Sequence, residues 1–173
     1  MRKIHIAVHL ICALAVLIFL GCAPNVVITP DISATPTNNF TLKGKIDYEG
    51  NREYLPRTIT ANSNPDSLTL RYRYDVTYGR DAVHQALPLF NPLTIVGFPI
   101  GADTIVVTGK LEILKWKTLV KVYTSVCVLD KHRTIFSEGE TMSELRKSGL
   151  LAVRDNIETQ MYVDRNLLSD AGQ

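Results

Sequence analysis

The hydrophobic period of this chain changes once, and that change limits its fold more than any other feature. Between Phe40 and Leu129, in four separate runs, apolar side chains recur at every second residue, the spacing of a strand with one face in a core and the other in water. Phe40, Leu42, Gly44, Ile46 and Tyr48 alternate with Thr41, Lys43, Lys45 and Asp47. Leu68, Leu70, Tyr72, Tyr74, Val76 and Tyr78 alternate with Thr69, Arg71, Arg73, Asp75 and Thr77. Pro56, Asn64, Pro65 and Asp66 mark a loop between these runs, with a short strand expected at Thr58 to Ala61. Ile105, Val107, Gly109, Leu111 and Ile113 line one face of a third run, and Val120, Val122, Thr124, Val126 and Val128 line one face of a fourth. Lys115, Trp116 and Lys117 make the hairpin turn between them, without the usual Asn-Gly. Leu119, Tyr123, Cys127 and Leu129 make the other face of the fourth run apolar too, which predicts a central strand covered on both sides. A turn at Asp130 to Arg133 and a last strand at Thr134 to Phe136 are expected to follow.

At Thr141 the period becomes helical. Thr141 with Glu144 three residues on forms a capping box, in which each side chain satisfies a backbone N–H of the first turn. Met142, Leu145, Gly149, Val153, Ile157 and Met161 then form one stripe, with Arg146, Lys147, Arg154, Asp155 and Glu158 elsewhere on the cylinder. Gly149 on the apolar stripe predicts a close approach between helix and sheet, at a propensity cost of about 1 kcal/mol. Leu167 and Leu168 offer a last contact. The fold class is therefore α+β: an antiparallel sheet of about four to six strands with a C-terminal amphipathic helix packed on one face.

The N-terminus has a different character. Arg2 and Lys3 precede the apolar block Ile4 to Leu20, which ends in Phe19, Leu20, Gly21 and Cys22. This resembles the lipobox of bacterial lipoproteins, in which signal peptidase cuts before the cysteine and the new N-terminus carries lipid. Gly21 supplies the small residue that cleavage needs, while Phe19 and Leu20 are bulkier than is usual there. The competing reading is an uncleaved membrane anchor, but the block is short for a hydrocarbon core of roughly 30 Å and carries His5 and His9. The resemblance implies residues 1–21 as signal peptide, Cys22 as the lipidated residue, and 22–39 as lipidated N-terminus and flexible tether. Residues 40–173 follow as a single α+β periplasmic domain. Pro24, Pro30 and Pro36 suit an extended tether reaching on the order of 50 Å at about 3.3 Å per residue. Ala23 after the cysteine, where Asp would retain such a protein at the inner membrane, implies the periplasmic face of the outer membrane.

Charge and cysteine content narrow the chemistry. The chain has 19 Lys and Arg against 17 Asp and Glu, and removing Arg2 and Lys3 leaves 17 of each. A neutral mature protein lacks the basic surface that nucleic-acid binding requires. With Cys12 lost and Cys22 acylated, Cys127 has no internal disulfide partner. No catalytic constellation is expected: Cys127 with His132 lacks a third orienting residue, and His84 beside Asp81 is isolated. No metal or cofactor is expected either, since Glu138 and Glu140 precede a helix where acids favour the dipole anyway.

Two features carry functional expectations. Ala82 to Ala102 contains no Asp, Glu, Lys or Arg. It reads either as a buried crossover or as an exposed apolar segment that docks a partner or the bilayer through Leu89, Phe90, Ile95 and Phe98. The outward set Arg71, Arg73 and Asp75, with Lys43 and Lys45 if the strands pair, reads either as a solvated sheet face or as a grip for an anionic ligand or peptidoglycan. The expected function is that of a non-enzymatic outer-membrane lipoprotein, an adaptor or assembly subunit with an envelope protein partner. The alternative is a binding protein for an envelope lipid or glycan.

Overall fold

The computed structural model describes residues 25–32, 40–62, 64, 68–80, 101–133 and 141–171. The strands are β1 (Asn25–Thr29), β2 (Leu42–Asp47), β3 (Ile59–Ala61), β4 (Leu68–Arg80), β5 (Gly101–Lys115) and β6 (Thr118–Arg133). Two helices follow, α1 (Met142–Val163) and α2 (Arg165–Ala171). The strands form one six-stranded sheet in the order β1-β6-β5-β4-β2-β3. The α+β plan with a C-terminal helix on one face holds, and the sheet is mixed. β2 runs parallel to both neighbours, with Leu42 beside Ile59, Gly44 beside Leu68 and Ile46 beside Leu70. A parallel pair cannot be closed by a tight turn. The chain therefore crosses from β2 to β3 through a 3₁₀ turn at Arg52–Tyr54.

By internal contacts the chain divides into two compact units. One unit comprises Val26–Tyr78, Ile105–Leu129 and Glu140–Gln173, and holds the hydrophobic core. The other comprises Met1–Asn25, Gly79–Thr104 and Asp130–Gly139, where the Thr104 hydroxyl donates to Asp130 Oδ1 at 2.7 Å.

In the first unit, burial follows the alternation. Leu42 and Gly44 of β2 are buried while Lys43 and Lys45 are exposed; Leu68, Leu70 and Tyr72 of β4 are buried, as are Ile105, Val107, Leu111 and Ile113 of β5. Helix α1 covers this face. Its first turn has the full capping box, with the Thr141 hydroxyl accepting from Glu144 N at 3.3 Å and Glu144 Oε2 accepting from Thr141 N at 2.6 Å. Leu145, Leu150, Val153, Ile157 and Met161 are buried along its stripe, each worth about 1.5–3 kcal/mol relative to exposure. At Gly149 a Cβ would stand 2.7 Å from both Leu129 Cδ1 and Val107 Cγ2, so the expected close approach is present. Beyond Asp164, Leu168 of α2 is buried, whereas Leu167 is exposed.

Several expectations change. Asn25–Thr29, assigned to the tether, form β1, because Val26, Val27 and Ile28 are β-branched and find an open sheet edge beside β6. In β6 the core face is Tyr123, Ser125, Cys127 and Leu129, while Val120 is exposed and Val122, Val126 and Val128 are half-buried. Both faces are apolar in sequence, and α1 selects the one with the larger side chains. It touches Leu129 at Gly149, and Asp164 accepts from the Tyr123 hydroxyl at 3.1 Å. Bordered on its far side only by the five residues of β1, β6 is next to the sheet's end rather than central. Asp130 to Arg133 continue β6 instead of turning. Tyr78 stands exposed, since the inward set of β4 is covered only through Val76. The strand expected at Thr134 to Phe136 lies outside the described residues.

Candidate functional site

An open cleft of about 830 Å³ lies wholly within the first unit, where the β5–β6 hairpin tip meets β2 and the segment after it. Three segments build it. Lys45, Ile46 and Tyr48 come from β2 and its end, Gly50, Arg52 and Leu55 from the crossover, and Trp116 and Lys117 from the hairpin turn. Ala61, Asn62, Asn64 and Thr69 complete the lining.

The crossover segment is held in place by α1. The Glu158 carboxylate accepts from the backbone N of Arg57 and, at 3.0 Å, from its Nη2. Arg154 Nη1 donates to the Glu53 carbonyl at 2.6 Å, and Lys147 Nζ pairs with Glu53 Oε1 at 2.8 Å. Sequence alone set Arg154 and Glu158 off the apolar stripe, yet both are buried, because they turn toward this segment and not toward water. Asn51 caps the 3₁₀ turn by accepting from Glu53 N at 3.0 Å. Tyr48 folds back over Gly50 and donates to the Asn51 carbonyl at 2.9 Å. A Cβ at Gly50 would collide with that ring, so the glycine is what lets the tyrosine lie there. The Tyr48 ring also packs 5.4 Å from Tyr72 and 6.4 Å from Tyr74, and Tyr54 meets Tyr74 edge-on at 6.2 Å. Burial, with Tyr74 and Tyr54 nearby, pushes the Tyr48 phenol up to about 12, so it remains a neutral hydroxyl at physiological pH.

The hairpin turn is unusual. Trp116 and Lys117 both adopt positive φ, 53° and 67°, the left-handed pair of a type I′ hairpin that Asn-Gly normally fills. An L-residue with a Cβ held there costs about 1–2 kcal/mol. Trp116, the only tryptophan in the chain, is 69% exposed. A turn that is both strained and tipped with an exposed indole is poorly suited to stability alone.

Charge around the cleft is one-sided. Lys45, Arg52 and Lys117 line it, and no lining carboxylate is present among the described residues. The nearest carboxylates in sequence are mostly engaged elsewhere. Asp47 accepts from Arg71 Nε and Arg73 Nη2, each at 2.8 Å, and these two hydrogen bonds hold its carboxyl below the usual range. Glu53 is taken by Lys147, and Glu49 is exposed outside the lining. Lys45, Arg52 and Lys117 form no ion pair among the described residues. The expected cationic face thus splits. Arg71 and Arg73 are spent on Asp47, with Glu112 3.5 Å from Arg71 and 2.7 Å from Lys110, as on an ordinary solvated sheet face. Lys45 faces the cleft.

Cys22 lies outside the described residues, as do Leu89, Phe90, Ile95 and Phe98 of the uncharged segment. Cys127 is fully buried on the core face of β6, and burial pushes its thiol up, away from the thiolate a nucleophile requires. Among the described residues no group of three or more His, Cys, Asp or Glu side chains could hold a metal ion. No described helix is long and apolar enough to cross a membrane. Sequence reasoning named Lys45 as a ligand candidate but read Trp116 and Lys117 only as a turn. The signal that pointed further was the turn's composition, a lone tryptophan between two lysines where Asn-Gly belongs.

No family model matches the chain, and no curated protein is similar to it. A solved structure of a minor lipoprotein from Acinetobacter baumannii is similar with a TM-score of 0.39 and 13% identity, over 79% of this chain and 96% of that one. Likeness at this level fixes neither fold nor function.

Proposed function

We propose that this chain is a lipid-anchored, non-enzymatic protein of the outer membrane, facing the periplasm, which binds an envelope ligand in the cleft beside the β5–β6 hairpin. The observation that carries the binding reading is the lining: an exposed Trp116 at a strained turn, with three cations that form no ion pair and no lining carboxylate among the described residues. Pockets of roughly 300–1,000 Å³ with a few convergent polar groups are the common form of a small-ligand site. The sequence from Arg2 to Cys22 supports the anchor. β1 starts at Asn25, so only three peptide steps separate the sheet from Cys22, a span of at most about 11 Å. On this reading the folded body is held close to the bilayer and does not stand off on a long tether. The anchor is tested by metabolic labelling with a fatty-acid analogue: wild type takes up label and Cys22→Ala does not. Equal labelling of both would overturn it.

A second reading, the adaptor or assembly subunit, is favoured by β1. It ends the sheet order, and Val26 and Val27 are 49% and 52% exposed, an apolar edge strand of the kind that accepts another chain. A photo-crosslinker at Val27 in intact cells should capture an envelope protein. Absence of any adduct would remove this reading and leave the ligand-binding one standing.

A further inference from the structure

We infer that the ligand of the hairpin cleft is an anionic saccharide, a sugar chain carrying carboxylate or phosphate groups. This rests on the ligand-binding reading above and adds the chemistry. Each part of the lining answers one part of such a molecule. The Trp116 indole, exposed and held at the tip of a two-residue turn, presents a broad apolar face on which the C–H face of a pyranose ring can lie. Tyr48 adds a second ring, fixed by its hydrogen bond to the Asn51 carbonyl and by packing on Tyr72. Asn62 supplies an amide that can both donate to and accept from sugar hydroxyls and N-acetyl groups.

The cations set the charge of the ligand. Lys45, Arg52 and Lys117 come from three separate segments, so their convergence is a product of the fold and not of a basic run in the sequence. Asp47 and Glu53 would otherwise neutralise them, and each is committed to another partner, Asp47 to Arg71 and Arg73 and Glu53 to Lys147. Three cations with no lining carboxylate among the described residues raise the local concentration of an anion even though the chain without Arg2 and Lys3 is neutral overall. An uncharged saccharide would use the rings and leave the three exposed cations to solvent. A bare anion would use the cations and neither ring. The ligand that uses both is a sugar that carries acid groups.

Trp116, the chain's only tryptophan, makes the site its own reporter. The full-length protein in detergent is titrated with three probes while Trp116 emission is followed. They are a muramyl-containing tetrasaccharide bearing lactyl carboxylates, neutral chitotetraose of equal length, and inorganic phosphate. The expected result is a saturating blue shift with the carboxylate-bearing sugar at an affinity at least tenfold above that of chitotetraose. That preference should collapse in Lys45→Gln/Lys117→Gln, whose positions are exposed and lie outside the core. Equal affinity for the two sugars would overturn the anionic assignment and keep a saccharide-binding protein. A response to phosphate as strong as to the charged sugar would overturn the saccharide assignment. Silence of Trp116 to all three, with no small molecule retained by the protein in native mass spectrometry, would overturn both this inference and the binding reading. Silence with a retained non-saccharide molecule would overturn this inference alone.

Discussion

Replacing Gly149 by alanine sets two opposed effects against each other, and the structure decides between them. In a helix interior Gly→Ala gains about 1 kcal/mol of backbone propensity. At this position the new Cβ would sit 2.7 Å from Leu129 Cδ1 and 2.7 Å from Val107 Cγ2. Leu129 can yield at the end of its side chain. Val107 is β-branched, fully buried and fixed on the central strand β5, so the helix must lift or the valine must leave its rotamer. Overpacking of this kind costs about 1–3 kcal/mol. The net expectation is destabilisation by about 1 kcal/mol, read as a lower urea midpoint at unchanged slope. The exposed neighbour Ser148→Ala should instead gain a few tenths of a kcal/mol, about the propensity difference alone. Val107→Ala removes the stiff partner. In a double-mutant cycle Gly149→Ala should then become favourable, with a coupling of about 1 kcal/mol or more. A Gly149→Ala protein that is about 1 kcal/mol more stable than wild type, or a strictly additive cycle, would refute the close-packing argument.

Three further outcomes are expected. Glu158→Ala leaves the Arg57 backbone N–H and guanidinium without their shared acceptor; it should cost about 1–3 kcal/mol and also weaken ligand binding at the cleft, since the crossover segment loses its hold on α1. A urea midpoint within error of wild type would contradict this. The Lys121 ammonium, and then the Tyr123 hydroxyl, hold the Asp164 carboxyl below its ordinary 3.8. The folded pKa lies below the unfolded one, so the stabilisation is full above about pH 4 and is lost as pH falls through the folded value. Asp164→Asn should flatten stability against pH in the acid range, and an unchanged profile would remove Asp164 from the acid response. The Tyr72 and Ser125 hydroxyls are buried without a hydrogen-bond partner among the described residues. Tyr72→Phe and Ser125→Ala should therefore be neutral or stabilising by up to about 1 kcal/mol, and a loss above that in either would mean its hydroxyl is satisfied after all.

Where one physical signal dominated, the sequence was legible. The alternation in β2, β5 and the first half of β4 matched the buried set, and Thr141 with Glu144 marked the start of α1 to the residue. Where two signals were equal, it was not. In β6 both faces are apolar, and only the helix above distinguishes Tyr123 and Leu129 from the valines. Strand direction was invisible for a related reason. The pattern of β2 is the same whether it runs parallel or antiparallel to β4, and the choice lies in how Asn51 to Thr58 cross over. β1 was hidden by flanking prolines, which suggested a tether around five residues with strand propensity. The cleft was the least legible feature, because Lys45, Arg52, Asn62 and Trp116 meet only after the sheet forms.

The most direct test of the cleft's role is native mass spectrometry of the full-length protein extracted from cells, wild type beside Lys45→Gln/Lys117→Gln. The expected result is a bound small molecule in the wild-type spectrum, bearing an acidic group on fragmentation and absent or strongly depleted in the variant. The same adduct at equal occupancy in both proteins would contradict the assignment of the hairpin cleft as the binding site.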